Sequence, residues 1–453
     1  MTTLPASERL ADALRDIVGD KNVYLEDKVR KVFSADAYYF SPVLQEALGD
    51  KIADVIVAPG SQAELQALIR YAVQQGIPLT LRGAGTGNYG QAVPLEAGIV
   101  VLTRRLNHIL SFDADSGQAI VEPGTVMGAI ERLGREQGWE LPCYPSTYAT
   151  ATIGGFVAGG FGGVGSIRNG TLWDGMVLAA ELVNVDAEAE AHWLEGKDLL
   201  SVIHAYGTTG IISRLRLQLT PALPWEESVF SFADFDSALR FAYQLCQDTS
   251  IDKRLVTINQ APIPNFFKPL VRDGGVREGR SGVLLELAAG QREAALELAA
   301  SYGGSCDWQR DAALYHKSNF SLSDFTWNHT TLWALKEDPR YTYLQVMYKP
   351  DIEDCLEQIH SIQAQFPEEV FFHNEYVRMH GQLTASGLPL VYYRDKDRLY
   401  QIIQAFEDLG AEIADPHTWL LDKDPRWNGD PVLRAKAERN PHNLLNPGKL
   451  SMS

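Results

Sequence analysis

Apolar positions at helical spacing open the chain. In the first eighteen residues, MTTLPASERLADALRDIV, Leu10, Leu14 and Ile17 recur at intervals of three and four, which predicts an amphipathic helix. Residues 1–50 read as one or two helices followed by an aromatic turn, Asp36-Ala37-Tyr38-Tyr39-Phe40. Asp54–Ala58 (DVIVA) is a short apolar strand closed by Pro59-Gly60. Ser61 and Glu64 make a capping box, and Leu65, Leu68, Ile69, Ala72 and Val73 share one face of the helix that follows. Gly76 stops that helix, and Ile77–Leu81 is the next strand, so this is a β-α-β unit.

The pattern continues with strands at Ile99–Leu102 and Ala119–Val121, either side of the polar turn Asp113–Gly117. A helix is expected from Glu122-Pro123-Gly124 to Gln137. Met176–Val185 reads as a strand, Asp186–Trp193 as a hairpin region, and Ile211–Leu219 as an alternating strand. Pro221 and Pro224 mark a boundary. Beyond it, Val229–Phe232, Val283–Leu287, Thr342–Met347, Val370–Val377 and Leu390–Tyr392 read as strands. Ser237–Gln247, Gln291–Tyr302, Ile352–Phe366 and Lys396–Leu409 read as helices. This alternation predicts an antiparallel sheet backed by helices on one face, and an α+β chain overall.

Two glycine-rich stretches interrupt the periodicity. Seven of the twelve residues from Gly154 to Gly165 are glycine. Each interior glycine costs a helix or strand about 0.5–1 kcal/mol, so neither element is expected there. A flexible linker is disfavoured, because Ile153, Phe156, Val157, Phe161 and Val164 stand among the glycines. Backbone wrapped closely round a large anion is the better reading. The second stretch, Arg82-Gly83-Ala84-Gly85-Thr86-Gly87-Asn88, follows a strand directly. No helix pattern follows Asn88 and no GK[ST] is present, which argues against a dinucleotide fingerprint or a P-loop. What remains is a backbone nest for phosphate oxygens, with Thr86 and Asn88 adding side-chain bonds.

Composition narrows the partners. A net charge of −18 over 453 residues argues against a general surface for nucleic acid or anionic membrane. No apolar run approaches the roughly 18 residues of a membrane span. The N-terminus lacks a basic segment followed by an apolar one, so no secretory signal is expected. Cys143, Cys246, Cys306 and Cys355 are scattered and contain no CxxC, as in reduced thiols of a cytoplasm.

Four motifs in order, Arg82–Asn88, Pro145-Ser146, Ala151-Thr152-Ile153-Gly154-Gly155 and Gly210-Ile211-Ile212, resemble the flavin-binding half of the vanillyl-alcohol oxidase and p-cresol methylhydroxylase superfamily. The ending Asn440–Lys449 (NPHNLLNPGK) is similar to that of its glycolate oxidase and D-lactate dehydrogenase branch. The resemblance implies a two-subdomain FAD-binding domain over residues 1–222, a cap over 223–425, and a tail, 426–453, that returns to the flavin. It implies that Arg82, Gly83, Ala84, Gly85, Thr86, Gly87 and Asn88 hold the pyrophosphate. Pro145, Ser146 and Thr147 would run beside the isoalloxazine ring. Thr152, Ile153, Gly154 and Gly155 would follow the pyrophosphate and ribitol, Ile211 and Ile212 would meet the adenine, and Asn446 would come back near the flavin. Covalent relatives commonly carry a histidine where this chain has Thr86, and no histidine stands between Asp54 and Asn107. FAD without a covalent bond is therefore expected, with Cys143 a free thiol.

The branch's metal pattern of two histidines and a later Glu-His-Gly is missing, so no metal is expected. Where it would fall stands Phe371–His380 (FFHNEYVRMH), in which period two puts His373 and Glu375 on one strand face. An acid/base pair facing the flavin, a metal pair and a merely hydrogen-bonded pair all fit that spacing. Arg378 is the candidate for gripping a carboxylate. Phe325–Trp333 reads as a helix with Trp327, Thr330, Thr331 and Ala334 on one face, lining an aromatic pocket or packing into a core. His417 reads as a turn residue. The expected activity is FAD-dependent oxidation of a C–H bond beside a hydroxyl, in a 2-hydroxy acid or another alcohol, with the electron acceptor unassigned. The alternatives are a non-redox flavin synthase of the same superfamily and an electron-transfer or binding subunit. A complete cap argues against the last.

Overall fold

The computed structural model describes residues 6–317 and 320–451; the start of the expected N-terminal helix, where a signal was also sought, and the last two residues of the tail lie outside them. Two helices, α1 (Ala6–Val18) and α2 (Asp27–Phe33), precede the aromatic turn as expected, and a further helix, α3 (Pro42–Leu48), lies between that turn and the apolar strand at 55–57.

The first sheet contains β1 (Val23–Tyr24), β2 (Val55–Val57), β3 (Leu79–Arg82) and β4 (Ile99–Leu102) in the order β1-β2-β4-β3, with β2, β4 and β3 parallel. Its central strands are apolar on both faces because both are covered. Val55, Val57, Ile99 and Val101 pack on α1 and on α4 (Gln62–Gln75), while Ile56, Val100 and Leu102 pack toward Tyr24 and Phe33. At α4 the capping box is half formed. Ser61 Oγ accepts from Glu64 N at 3.2 Å, but Glu64 Oε2 accepts from Gly60 N at 2.7 Å, one residue early.

The second sheet is antiparallel. It holds β5 (Ile109–Asp113), β6 (Gln118–Val121), β7 (Val177–Val183), β8 (Ala191–Glu195) and β9 (Ile211–Gln218), ordered β5-β6-β9-β7-β8. Helix α5 starts at Met127, later than expected, and ends at Glu136. Pro123-Gly124 is held instead as a turn, in which Gly124 N donates to Leu106 O at 2.7 Å.

The glycine-rich stretch corrects the sequence reading. Ile153–Gly159 is a helix, α6, with Thr152 as its N-cap and Ile153, Phe156 and Val157 buried. The glycines are there for contact: a Cβ on Gly154 would lie 2.5 Å from Pro123 Cβ. Close packing outweighs the modest propensity cost over so short a helix.

The third sheet has eight strands: β10 (Trp225–Phe232), β11 (Lys253–Asn259), β12 (Ser281–Ala288), β13 (Ser305–Arg310), β14 (Val346–Met347), β15 (His373–Met379), β16 (Gln382–Gly387) and β17 (Glu412–Ile413). Their order is β13-β10-β12-β11-β15-β16-β14-β17, all antiparallel. On one face Phe230, Val256, Leu285 and Tyr376 share a core with α7 (Phe235–Gln247), α8 (Arg292–Ser301), α10 (Ile352–Gln365) and α11 (Lys396–Asp408); α9 is Asn328–Glu337. On the other, Val229, Leu255, Leu284 and Val377 share a core with Leu215 and Leu217 of β9. That second face also buries Glu227, Glu286, Thr257, His373 and Glu375. Polar residues on an inward face explain why β11, β13 and β16 are illegible as alternating strands. Thr342–Met347 and Val370–Val377 are each broken in two, because Tyr341–Tyr343 and Val370–Phe371 leave for a separate three-stranded sheet with Leu390–Tyr392. Helix α12 (Gly429–Arg439) leads into the tail.

Candidate active site

Strand β3 delivers the chain into the nest. Arg82 is buried beneath it and its Nη1 donates to Ala35 O at 2.5 Å, while Gly85 O accepts from Ala37 N at 2.8 Å. Gly85 has φ +72°, and a Cβ there would lie 2.2 Å from the Arg82 guanidinium; one on Gly83 would lie 2.1 Å from Thr152 Oγ1. Among the described residues, the amides of Ala84 to Asn88 donate to no protein acceptor. A tight backbone turn with unspent N–H groups is a cradle for anionic oxygens.

The nest opens on a cavity walled jointly by the nest, the glycine-rich helix α6, the eight-stranded sheet with its connections, and the tail. Gly83 to Asn88, Pro145, Ser146, Thr147, Thr152, Gly154, Gly155, Ile212 and Asn446 all line it. Arg82, Ile153 and Ile211 do not; they are buried behind its walls. The tail is pinned to the cavity by Asn446, whose Oδ1 accepts from Leu81 N at 3.1 Å and whose Nδ2 donates to Tyr206 O at 2.6 Å. The eight-stranded sheet and its connections close the cavity with Trp327, Asn328, Gln345, Ser386 and Leu388. Such a cavity, with an anion cradle on one wall and the eight-stranded sheet closing the other, fits a dinucleotide such as FAD.

His373 and Glu375 do share a face, with His373 Nε2 3.4 Å from Glu375 Oε1, but neither lines the cavity. They sit one layer behind Trp327. Glu375 Oε1 accepts from Trp327 N at 2.7 Å and its Oε2 accepts from Thr257 Oγ1 at 2.6 Å. Burial pushes the Glu375 carboxyl up to about 8 and the His373 imidazole down to about 3, so neither is charged at neutral pH. Trp327 is not inside the expected helix. It caps α9 with φ +52° and ψ −139°, a conformation that costs a non-glycine residue about 1–3 kcal/mol. Arg378 lies on the opposite face of its strand, and its Nη2 donates to Cys246 O at 3.0 Å, so it is out of reach of the cavity. His417 is fully enclosed, with ring nitrogens 2.8 Å from Ser41 Oγ and 3.0 Å from Tyr343 O. Among the described residues, no three His, Cys, Asp or Glu side chains gather where a metal could sit.

The state of Glu375 has a consequence for stability. Between its ordinary value of 4.5 and about 8, the folded chain keeps a proton the unfolded chain has lost, so stability falls as pH rises through that window. Glu375→Gln is expected to raise Tm at pH 8 and leave it nearly unchanged at pH 4.5, a difference thermal denaturation at the two pH values will measure.

Sequence reading missed a polar cluster on the same cavity. Arg426 Nε and Nη2 donate to the two oxygens of Asp424, at 2.8 and 2.5 Å. Asp424 also takes a bond from His204, whose Nε2 is 3.0 Å from Oδ2 while Nδ1 is 2.7 Å from Gly160 O. Burial alone would raise the Asp424 carboxyl, but Arg426 and His204 hold it well below the usual range. Arg426 and His204 line the cavity with Tyr89 and Tyr206, and burial pushes the Tyr89 hydroxyl up to about 12. Arg426 Nη1 has no protein acceptor among the described residues. The cluster joins three remote segments, and no local spacing signals it.

Comparison with known proteins agrees with this geometry. Residues 53–191 match the FAD binding domain family. The chain is 24% identical to glycolate oxidase subunit GlcD of Bacillus subtilis, over 97% of this chain and 96% of that protein. It is 30% identical to D-lactate dehydrogenase of Archaeoglobus fulgidus, over 43% of this chain and 46% of that one. In fold it is similar to alkyldihydroxyacetonephosphate synthase, with a TM-score of 0.72 at 15% identity, covering 99% of this chain and 86% of the other. No helix among the described residues is long and apolar enough to cross a membrane. With its cradle, its cavity and these matches, the chain carries an FAD-binding domain over residues 53–191 and is similar along nearly its whole length to a glycolate oxidase subunit.

Proposed function

We propose that this protein oxidises a 2-hydroxy acid, with FAD held without a covalent bond. When bound, FAD supplies the acceptor for the hydride that leaves the CH–OH carbon. The residues 1–222 carry the cofactor, 223–425 cover it, and the tail from 426 closes the site. The free amides of Ala84 to Asn88 take the pyrophosphate oxygens. Pro145 to Thr147 lie along the ring, Thr152, Gly154 and Gly155 along the pyrophosphate and ribitol, and Ile212 beside the adenine, with Ile153 and Ile211 packed behind them. Arg82 acts from behind, by fixing the nest.

The observation that carries the substrate class is Arg426. A buried guanidinium with two nitrogens committed to Asp424 still offers Nη1 to the cavity, which suits one oxygen of a substrate carboxylate. Tyr89 and Tyr206 flank it. The names of two relatives, a glycolate oxidase subunit and a D-lactate dehydrogenase, point to the same class of acid. Anaerobic mixing of the yellow holoenzyme with glycolate, D-lactate and longer 2-hydroxy acids is expected to bleach the flavin with at least one. Ethylene glycol and 1,2-propanediol, which lack the carboxylate, should bleach it far more slowly. Bleaching by none of the acids overturns the reading.

Retention rests on contacts alone. Cys143 is fully buried, does not line the cavity, and has its thiol pushed up to about 12 by burial. Acid precipitation should therefore leave a white pellet and a yellow supernatant. A peptide carrying flavin mass would contradict this.

A further inference from the structure

The segment that walls the cavity on the cap side is strapped down from behind at two points. Leu322 N donates to Glu227 Oε1 at 2.6 Å, and Trp327 N donates to Glu375 Oε1 at 2.7 Å. Both carboxyls stand on the same inward face of the eight-stranded sheet, Glu227 on β10 and Glu375 on β15, and neither is more than 1% exposed. From Ser321, just before the first anchor, to the second, the segment folds on itself. Ser321 and Asp324 form a reciprocal cap, and Thr326 Oγ1 donates to Ser323 O at 3.1 Å. It then delivers Trp327 and Asn328 to the cavity.

Trp327 is the strained point of this wall. Its φ of +52° belongs to a region that glycine enters freely and a tryptophan does not. Released, the residue would relax toward negative φ and its indole and the following amide would leave their places. The amide bond to Glu375 opposes that. Glu375 is itself held by Thr257 Oγ1 at 2.6 Å, and its cross-strand neighbour Ser386 lines the cavity. The groups facing it are Thr257 on β11, Ser386 on β16, His373 on its own strand, and the Trp327 amide; none is a cation.

We infer that Glu375 is a positioning residue: its carboxyl oxygen holds Trp327 in a left-handed conformation, so that Trp327 and Asn328 form the substrate-side wall of the cavity. The requirement is for a buried acceptor, not for a proton acceptor or a charge. A glutamine meets it, since its amide oxygen replaces Oε1 and Thr257 Oγ1 can turn to accept from its NH2. An alanine does not.

The test compares Glu375→Gln and Glu375→Ala as FAD-loaded full-length enzymes, checked for equal flavin content. With a 2-hydroxy acid that bleaches the flavin, Glu375→Ala should raise KM about 10- to 100-fold while Glu375→Gln stays within about 3-fold of the parent. Oxalate, a carboxylate that cannot reduce flavin, gives a second readout that needs no turnover, and hydrogen exchange gives one that does not depend on the substrate assignment. The oxalate difference-spectrum titration of the oxidised flavin should weaken in parallel for alanine and not for glutamine. Hydrogen exchange on the parent enzyme needs no variant, and the Trp327 amide should be protected. A folded Glu375→Ala with unchanged KM and unchanged oxalate titration overturns the inference. So does a glutamine variant as damaged as the alanine one, which would mean that the carboxyl itself takes part. So does free exchange of the Trp327 amide. Failure of every 2-hydroxy acid to bleach the flavin, with oxalate and exchange behaving as stated, would refute the substrate class and leave this inference standing.

Discussion

Gly85→Val is expected to yield a folded, colourless protein. Three effects act at the same place. Gly85 has φ +72°, where a β-branched residue is strongly disfavoured. Its new Cβ would meet the Arg82 guanidinium at 2.2 Å. That guanidinium cannot swing aside freely, because Arg82 is buried and its Nη1 is bonded to Ala35 O. Relief of the clash must therefore move the nest backbone, and the amides of Ala84 to Asn88 with it. A strained residue of this kind costs about 1–3 kcal/mol, and misdirected amides lose phosphate contacts besides. The ratio of flavin to protein absorbance after purification measures the outcome. Full occupancy would show that this loop does not hold the cofactor. Circular dichroism matching the parent separates loss of FAD from loss of fold.

Arg426→Lys is expected to keep the flavin and lose the acid. Lysine preserves one charge but not the planar fork that binds both Asp424 oxygens and leaves Nη1 over. A hydrogen bond to a charged group contributes about 1.5–3 kcal/mol, so KM for the 2-hydroxy acid should rise about 10- to 100-fold with kcat little changed. Discrimination against the corresponding diol should shrink by a similar factor. The lysine variant is preferred to alanine, which would strand Asp424 in a buried site with His204 as its remaining partner. Steady-state kinetics with one acid and its diol decides the point. An unchanged ratio would place the carboxylate elsewhere.

How much of this was legible in the sequence follows from how local each requirement is. The nest was legible because positive φ at Gly85 and close approach at Gly83 are demands on single residues, and only glycine meets them. The β-α-β unit was legible because its strands and helix carry their own periodicity and caps. Period two was enough to put His373 and Glu375 side by side on β15. The same arithmetic left Arg378 on the wrong side of the sheet for a substrate, since its parity is opposite. Depth was not legible. Whether a strand face meets a cavity or a second layer depends on what packs over it, and here Trp327 and Asn328 arrive from a segment some fifty residues earlier and cover the pair. The helix at Ile153–Gly159 was hidden for a related reason: its glycines answer to Pro123 and not to their own neighbours. Least visible was Arg426 with Asp424 and His204. Each is unremarkable in its own segment, and they become a site only because the tail returns across the flavin-binding half, pinned there by Asn446. Arg426 and Asp424 are near neighbours in sequence, but the bond between Asp424 and His204 spans 220 positions and leaves no periodic mark, so only the folded chain could bring the cluster to light.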